Sequence, residues 1–328
     1  MASFGSTLSN RWGKPLNKLA LALMVAAITV PTAWSEWRTA SKIDPPEPPQ
    51  KVFVVGHRGA PNLAPEHTRA SYDAAIEAGA HMVELDVRYT ADGHFVVMHD
   101  ATVDRTTNGS GRVKDMTLAD FRRLDAGSWM GPQFKGQTAL SLVDALRYLK
   151  GRVAIDLDFK DGPDNAGKYL SDLLDQEDMN RGPLITVFVR LPQYEKIQGL
   201  RAPYKLRPHY LTPGQTRRLA QKGTVEVMGM RWIGFSLNNA RDIRRSGLFL
   251  FANVMGPKDG PVAYHKGLTA GAQFIQTDHV DQLSLYLNEH GRRAQCIPSF
   301  DFDCYNPNTD QMFVADAESV VVSDVAPR

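Results

Sequence analysis

Cysteine is almost absent. Two occur in 328 residues, Cys296 and Cys304, both near the carboxyl end. That excludes a zinc array of paired cysteines and a disulfide-built scaffold; a short local bridge or two free thiols remain. No long basic run exists and the formal net charge is +2, which argues against nucleic acid as a partner. The first 35 residues lack any acidic side chain. Arg11, Lys14 and Lys18 precede an uncharged stretch from Leu19 to Val30, and Pro31 to Ser35 follow. Positive, then apolar, then small is the order of an export signal. Continued to Ser35, the uncharged stretch reaches seventeen residues, the lower limit for crossing a bilayer. Residues 1–35 therefore read as a cleaved signal, an uncleaved anchor that would tie the protein to a membrane, or a buried helix. The first two imply export to the periplasm or envelope. Residues 36–50, with Pro45, Pro46, Pro48 and Pro49, read as a stiff extended linker.

What the chain does have is chemistry at the ends of apolar strands. Val52 to Val55 read as a buried strand, Gly56 and Gly59 free the backbone to turn, and His57 and Arg58 stand between them. Arg offers a planar fork of donors matched to phosphate oxygens, and His is the side chain most easily used as acid or base near neutrality. By itself such a pair is also compatible with an ordinary loop. Residues 82–88 alternate, so Glu84 and Asp86 share one face while Val83, Leu85 and Val87 share the other. Two like charges on one face fit either a solvated edge strand or a bound cation, and hard oxygen ligands suit Mg²⁺ or Ca²⁺. Phe95 to Met98 then deliver His99 and Asp100, the second histidine of a proton-transfer couple. Residues 153–160 put Asp156, Asp158 and Lys160 on one face. Lys160 reads as the ion-pair partner of a carboxylate or as a second phosphate-neutralising cation.

These stretches, with Ala64-Pro65-Glu66-His67-Thr68, Thr90-Ala-Asp-Gly93, Asp104-Arg-Thr-Thr107-Asn108-Gly109, Leu124 to Trp129 and Gly271 to Asp278, resemble the glycerophosphodiester phosphodiesterase family over about 230 residues. The resemblance implies catalytic roles for His57 and His99, phosphate binding by Arg58 and Lys160, and one divalent cation, Ca²⁺ or Mg²⁺, held by Glu84, Asp86 and Asp158. It also matches Glu66 to the glutamate of the family's Pro-Glu-Asn-Thr motif, on the substrate side. Two departures stand out: His67 replaces the usual Asn, and Asp158 replaces the usual Glu, one methylene shorter. Phe251-Ala-Asn253 replaces the usual Trp-Thr-Val-Asn.

Helical stretches alternate with the strands. Helices are expected at 68–78, 117–124, 141–149, 166–176, 214–221, 240–245 and 280–289, and further strands at 184–189, 204–210, 231–237, 248–254 and 273–277. That rhythm supports an α/β fold, a (β/α)₈ TIM barrel over residues 51–290. Residues 90–138 form an inserted cap segment after the second strand, and 291–328 a carboxyl-terminal extension. Trp129, within the cap, either walls the pocket and touches substrate or packs in the cap's own core. The acidic and amide residues from Asp301 to Asp310 lack the glycine and terminal glutamate of an EF-hand loop and read as a solvated loop.

The expected activity is metal-dependent hydrolysis of a glycerophosphodiester, a small-molecule substrate, to sn-glycerol 3-phosphate and an alcohol. The alternatives are a related barrel phosphodiesterase acting on phospholipids or lysophospholipids, and a non-catalytic phosphodiester-binding envelope protein. Oligomeric state is left open.

Overall fold

The computed structural model describes residues 51–190, 194–197, 199–221, 225–231 and 235–299. The expected signal or anchor at 1–35, the linker at 36–50, and the extension beyond Ser299 with its acidic loop and Cys304 lie outside the described residues. Cys296 is disulfide-bonded and half-buried against the core.

Among the described residues, eight parallel strands form the wall of the barrel. In chain order they are β1 (Phe53–Gly56), β2 (Met82–Tyr89), β4 (Ala154–Phe159), β5 (Ile185–Val189), β6 (Lys205–Pro208), β7 (Val227–Arg231), β8 (Phe249–Asn253) and β9 (Phe274–Thr277). Their spatial order is β6-β5-β4-β2-β1-β9-β8-β7, with the short strand β3 (Phe95–Val97) paired only to β2. The circuit closes between β6 and β7 through parallel bridges, Leu206 to Val225 and His209 to Gly229. Helices Arg69–Glu77, Leu142–Leu149, Ala166–Gln176, Pro213–Gln221, Leu237–Arg245, Pro261–Ala270 and Val280–Glu289 recur between and after the strands, as the right-handed crossovers of parallel strands require. Among the described residues, no helix is long and apolar enough to cross a membrane.

Local chemistry sets the boundaries of these elements. The Thr68 side chain accepts from the Ser71 amide and starts helix 69–77. Ser141 and Asp144 form a reciprocal capping box ahead of helix 142–149, each such cap contributing about 1 kcal/mol. Inside the barrel, Phe53 stacks on Phe274 at 5.1 Å between centroids, and Phe274 on Phe251 at 5.7 Å. This aromatic layer fills the lower barrel, so the charged residues above it sit at the carboxyl ends of the strands.

The residues after β2 build a satellite core of their own. β3 runs antiparallel to β2, with Val97 opposite Val87, and Val96, Met98, Val103, Val113, Phe121, Ala126 and Ala139 cluster apart from the barrel core. One strand differs from expectation. The segment placed at 231–237 is instead Val227–Arg231. Its Val-Met-Gly-Met-Arg sequence has a glycine at the centre and no alternation of polarity, whereas the apolar Trp232 and Ile233 just beyond it, outside the described residues, carry the stronger strand pattern.

Candidate active site

The turn after β1 is the hub of the site. Arg58 has φ 56° and Gly59 φ 92°, a left-handed pair that only glycine adopts freely. A Cβ on Gly59 would lie 2.4 Å from Ser71 Oγ, so the turn presses against helix 69–77. The turn aims the Arg58 amide at Glu84 Oε2, 2.9 Å away. It sets the Arg58 guanidinium between Glu66, 3.1 Å from Nη1, and Asp86, 3.4 Å from Nε.

Register brings the acidic strands together: Glu84 lies beside Asp156, and Asp86 beside Asp158. Lys160 pairs with both Asp86, at 2.7 Å, and Asp158. His67, also left-handed at φ 59°, donates from Nε2 to Asp86 Oδ2, 2.8 Å away, leaving its Nδ1 buried without a hydrogen-bond partner. His67, Glu84 and Asp86 are all buried and each offers a ligand atom within 4.8 Å of the others'. Asp158 adjoins that group through Lys160 and is not part of it.

The electrostatics of this cluster point to a cation. Burial, then the neighbouring Asp86 and Asp158 charges, push Glu84 well above the usual carboxylate range. Burial also raises Asp86, but the His67 hydrogen bond and the Lys160 and Arg58 charges outweigh it and hold that carboxyl well below its ordinary value. Burial raises Asp158 despite Lys160. Glu84 Oε1 and Asp158 Oδ1 are buried without a hydrogen-bond partner, which is costly unless something positive meets them. The donor set therefore fits a divalent ion: two carboxylates for a hard cation, with the His67 imidazole as a borderline donor.

Both expected histidines reach the same cavity, of about 430 Å³, along with Arg58, Glu84, Asp158 and Lys160. Each is oriented by a carboxylate. His57 Nδ1 lies 2.6 Å from Asp278 Oδ1, and His99 Nδ1 lies 2.6 Å from Asp100 Oδ1. That leaves Nε2 of each ring for substrate. Burial is the main reason that His99 falls below the ordinary imidazole value. Arg88 donates twice to the His99 carbonyl, at 3.0 and 2.6 Å, fixing the loop that carries it over the barrel. Arg105 ties the two halves, bonding Glu66 at 2.8 and 2.9 Å and Asp100 at 2.6 Å. Its hydrogen bond, with that from His99, draws Asp100 down to about 2 against the opposing effect of burial.

Glu66 thus clamps Arg58 and Arg105 and does not line the cavity. Trp129 is not brought to the cavity. It is 42% exposed, and its indole donates to the Ala126 carbonyl at 2.9 Å. Asp278, Arg105 and Arg207 were missed as parts of the site; Asp156, placed inward by alternation, bonds its neighbours Arg207 and Thr186. Asp278 sits 221 residues from its histidine, and only its place at the end of the last strand hinted at a role.

Comparison with known proteins places the chain among relatives of one family. The family profile described as the Glycerophosphoryl diester phosphodiesterase family matches residues 57–181. A putative glycerophosphodiester phosphodiesterase of Bacillus subtilis is 32% identical over 210 residues, covering 61% of this chain and 85% of its own. A glycerophosphodiester phosphodiesterase of Caldanaerobacter subterraneus is 43% identical over 113 residues, 34% of this chain and 46% of its own. Among solved structures, a glycerophosphodiester phosphodiesterase from Agrobacterium tumefaciens superposes with a TM-score of 0.63 at 27% identity, covering 71% of this chain and 99% of that one. An Oleispira antarctica phosphodiesterase, solved with the product sn-glycerol-3-phosphate, gives 0.63 at 22% identity over 72% and 96%.

Proposed function

The chain belongs to the glycerophosphoryl diester phosphodiesterase family, and from that premise we propose that it hydrolyses glycerophosphodiesters to sn-glycerol 3-phosphate and an alcohol, using two histidines and one divalent cation. The observation that carries the reading is the pair of carboxylate-anchored histidines facing one cavity beside a buried acidic cluster.

Glu84, Asp86 and His67 would hold the ion, with Asp158 beside them; when bound, it supplies positive charge against the phosphoryl oxygens. Arg58 and Lys160 line the cavity and bring two further cations to those oxygens, and such charge stabilisation is usually the largest catalytic term. Glu66 and Asp86 hold Nη1 and Nε of Arg58 in place. His99, kept toward its neutral form mainly by burial, accepts the proton of the attacking hydroxyl, either the glycerol 2-hydroxyl or water. His57, held by Asp278, delivers a proton to the leaving alkoxide. Attack by the 2-hydroxyl gives a cyclic phosphate, which water then opens with the two roles exchanged.

The test is phosphorus NMR of the purified protein with glycerophosphoethanolamine and glycerophosphoglycerol. A monoester signal of glycerol 3-phosphate is expected; unchanged diesters with metal-replete protein would overturn the reading. Residues 1–35 are proposed to direct export, and a reporter active only outside the cytoplasm, fused after residue 40, should be active; a silent reporter on soluble, full-length protein would refute export.

A further inference from the structure

The half of the barrel mouth away from the acidic cluster is cationic. Alternation along three successive strands aims an arginine of each inward: Phe188 then Arg190 at the end of β5, Arg207 then His209 at the end of β6, and Gly229 then Arg231 on β7. Lys258 follows β8. Arg190, Arg207, His209, Arg231 and Lys258 all line the cavity that holds His57, Arg58 and Lys160. Among the described residues, the carboxylates lining it are Glu84 on β2 and Asp158 on β4. Nearby acids are committed elsewhere. Asp259 accepts from the Thr277 hydroxyl and the Asp278 amide; Asp278 serves His57 and the Gly256 amide.

Arg207 shows that this end is built. It is 1% exposed, paired with Asp156, and packed with its guanidinium 4.7 Å from the Phe188 ring centroid and 3.9 Å from that of Phe251. Its Nη1 is nevertheless buried without a hydrogen-bond partner. Gly229 keeps the space before it open, since a Cβ there would lie 2.8 Å from that nitrogen and 3.3 Å from His209 Nδ1. Burial first, then the charges of Arg207, Arg231 and Arg190, hold His209 down at about 3, so these cations share one field. Arg207 stands two strands from Asp158, or about 10 Å around the wall at the usual strand spacing.

A cationic leaving alcohol such as choline would be repelled here. We propose that the substrate's leaving alcohol carries a second phosphate, seated on Arg190, Arg207, Arg231 and Lys258 while Arg58 and Lys160 hold the scissile one. This rests on the hydrolase reading above. The same chemistry occurs in a soluble diester with a phosphorylated alcohol and in a chain of repeating glycerol phosphate units.

The experiment measures kcat/KM of the full metal-loaded chain on four probes: glycerophosphocholine, glycerophosphoglycerol, glycerophosphoglycerol bearing a terminal phosphate, and poly(glycerol phosphate). The terminally phosphorylated diester should exceed glycerophosphoglycerol by at least about tenfold, a modest share of what a focused field supplies. Glycerophosphocholine should be slowest. The preference should shrink in high salt and in Arg190→Gln and Arg231→Gln, read as the ratio between the two glycerol substrates. The faster of the phosphorylated diester and the polymer identifies the source. A ratio near one, or a preference for glycerophosphocholine, overturns the second-phosphate site and leaves the hydrolase reading standing. No turnover of any probe overturns the hydrolase reading itself. Calorimetric titration then still reads the site: equal affinity for the phosphorylated and plain glycerol diesters overturns it, and tighter, salt-sensitive binding of the phosphorylated one upholds it.

Discussion

Replacing Asp156 with Asn should damage the fold more than the chemistry. Asp156 is fully buried, takes Arg207 Nε at 2.9 Å with Nη2 on its other oxygen, and accepts the Thr186 hydroxyl. Arg207 itself is enclosed by Phe188 and Phe251. Asparagine keeps the volume but removes the charge, leaving a guanidinium in an aromatic box without a counter-ion. Breaking one side of a buried pair costs about 3–5 kcal/mol, a large part of the ~5–15 kcal/mol that a domain has in hand. At ~2–4 °C per kcal/mol for a domain of this size, the melting midpoint should fall by roughly 6–20 °C. Urea melts of the wild type, Asp156→Asn and the double variant Asp156→Asn/Arg207→Met check this. The double variant should recover much of the loss, because it also removes the guanidinium that would be left buried without a counter-ion. A loss under about 1 kcal/mol in the single variant, or no recovery in the double, would show that the pair does not carry this charge balance.

His57→Ala and His99→Ala should each keep the fold and lose about 10²–10⁴ in kcat; near-wild-type kcat at saturating substrate would make that ring structural. Asp158→Asn should raise the metal requirement and cut activity by at least ~10²-fold, since it removes one anchor of Lys160, while Asp158→Glu should retain substantial activity. If Asp156→Asn abolishes metal binding and Asp158→Asn does not, the assigned roles are reversed. His81 bridges the Val54 amide and the Ala294 carbonyl, and burial lowers it from 6.5 to about 4. Between those values the unfolded chain binds the proton and the native one does not, so stability falls as pH drops from 6.5 to 4, by up to about 3 kcal/mol. The slope of unfolding free energy with pH over that window should be flatter in His81→Gln; an unchanged slope would exclude His81 as its source.

The parts of the site with a period were legible in the chain. Glu84 and Asp86, or Asp158 and Lys160, are two residues apart on a strand, and alternation alone puts them on one face; helix 166–176 and helix 280–289 likewise follow from apolar spacing and appear with the expected bounds. Partners far apart in the chain were not. Asp278 reaches His57 across 221 residues and Arg207 reaches Asp156 across 51, distances over which local pattern carries no information. The Arg105 bridge between Glu66 and Asp100 depends on how the cap folds over the barrel. Arg190 and Arg231 could have been found by extending the alternation of their strands, but the misplaced strand at 231–237 put Arg231 at a strand's start instead of its end. Trp129 reads from the sequence as either a pocket wall or a side chain packed in the cap's own core, and a choice between them depends on the cap's turn, which ties its indole to Ala126.

The account stands or falls on whether one divalent ion and turnover travel together. Metal content and glycerol 3-phosphate release should be measured on the same samples of wild type and Glu84→Gln, before chelation, after it, and after reloading. The expected result is one ion per wild-type chain, both ion and activity lost on chelation and restored together, and neither recovered in Glu84→Gln. Full turnover by a chain holding no metal would contradict it.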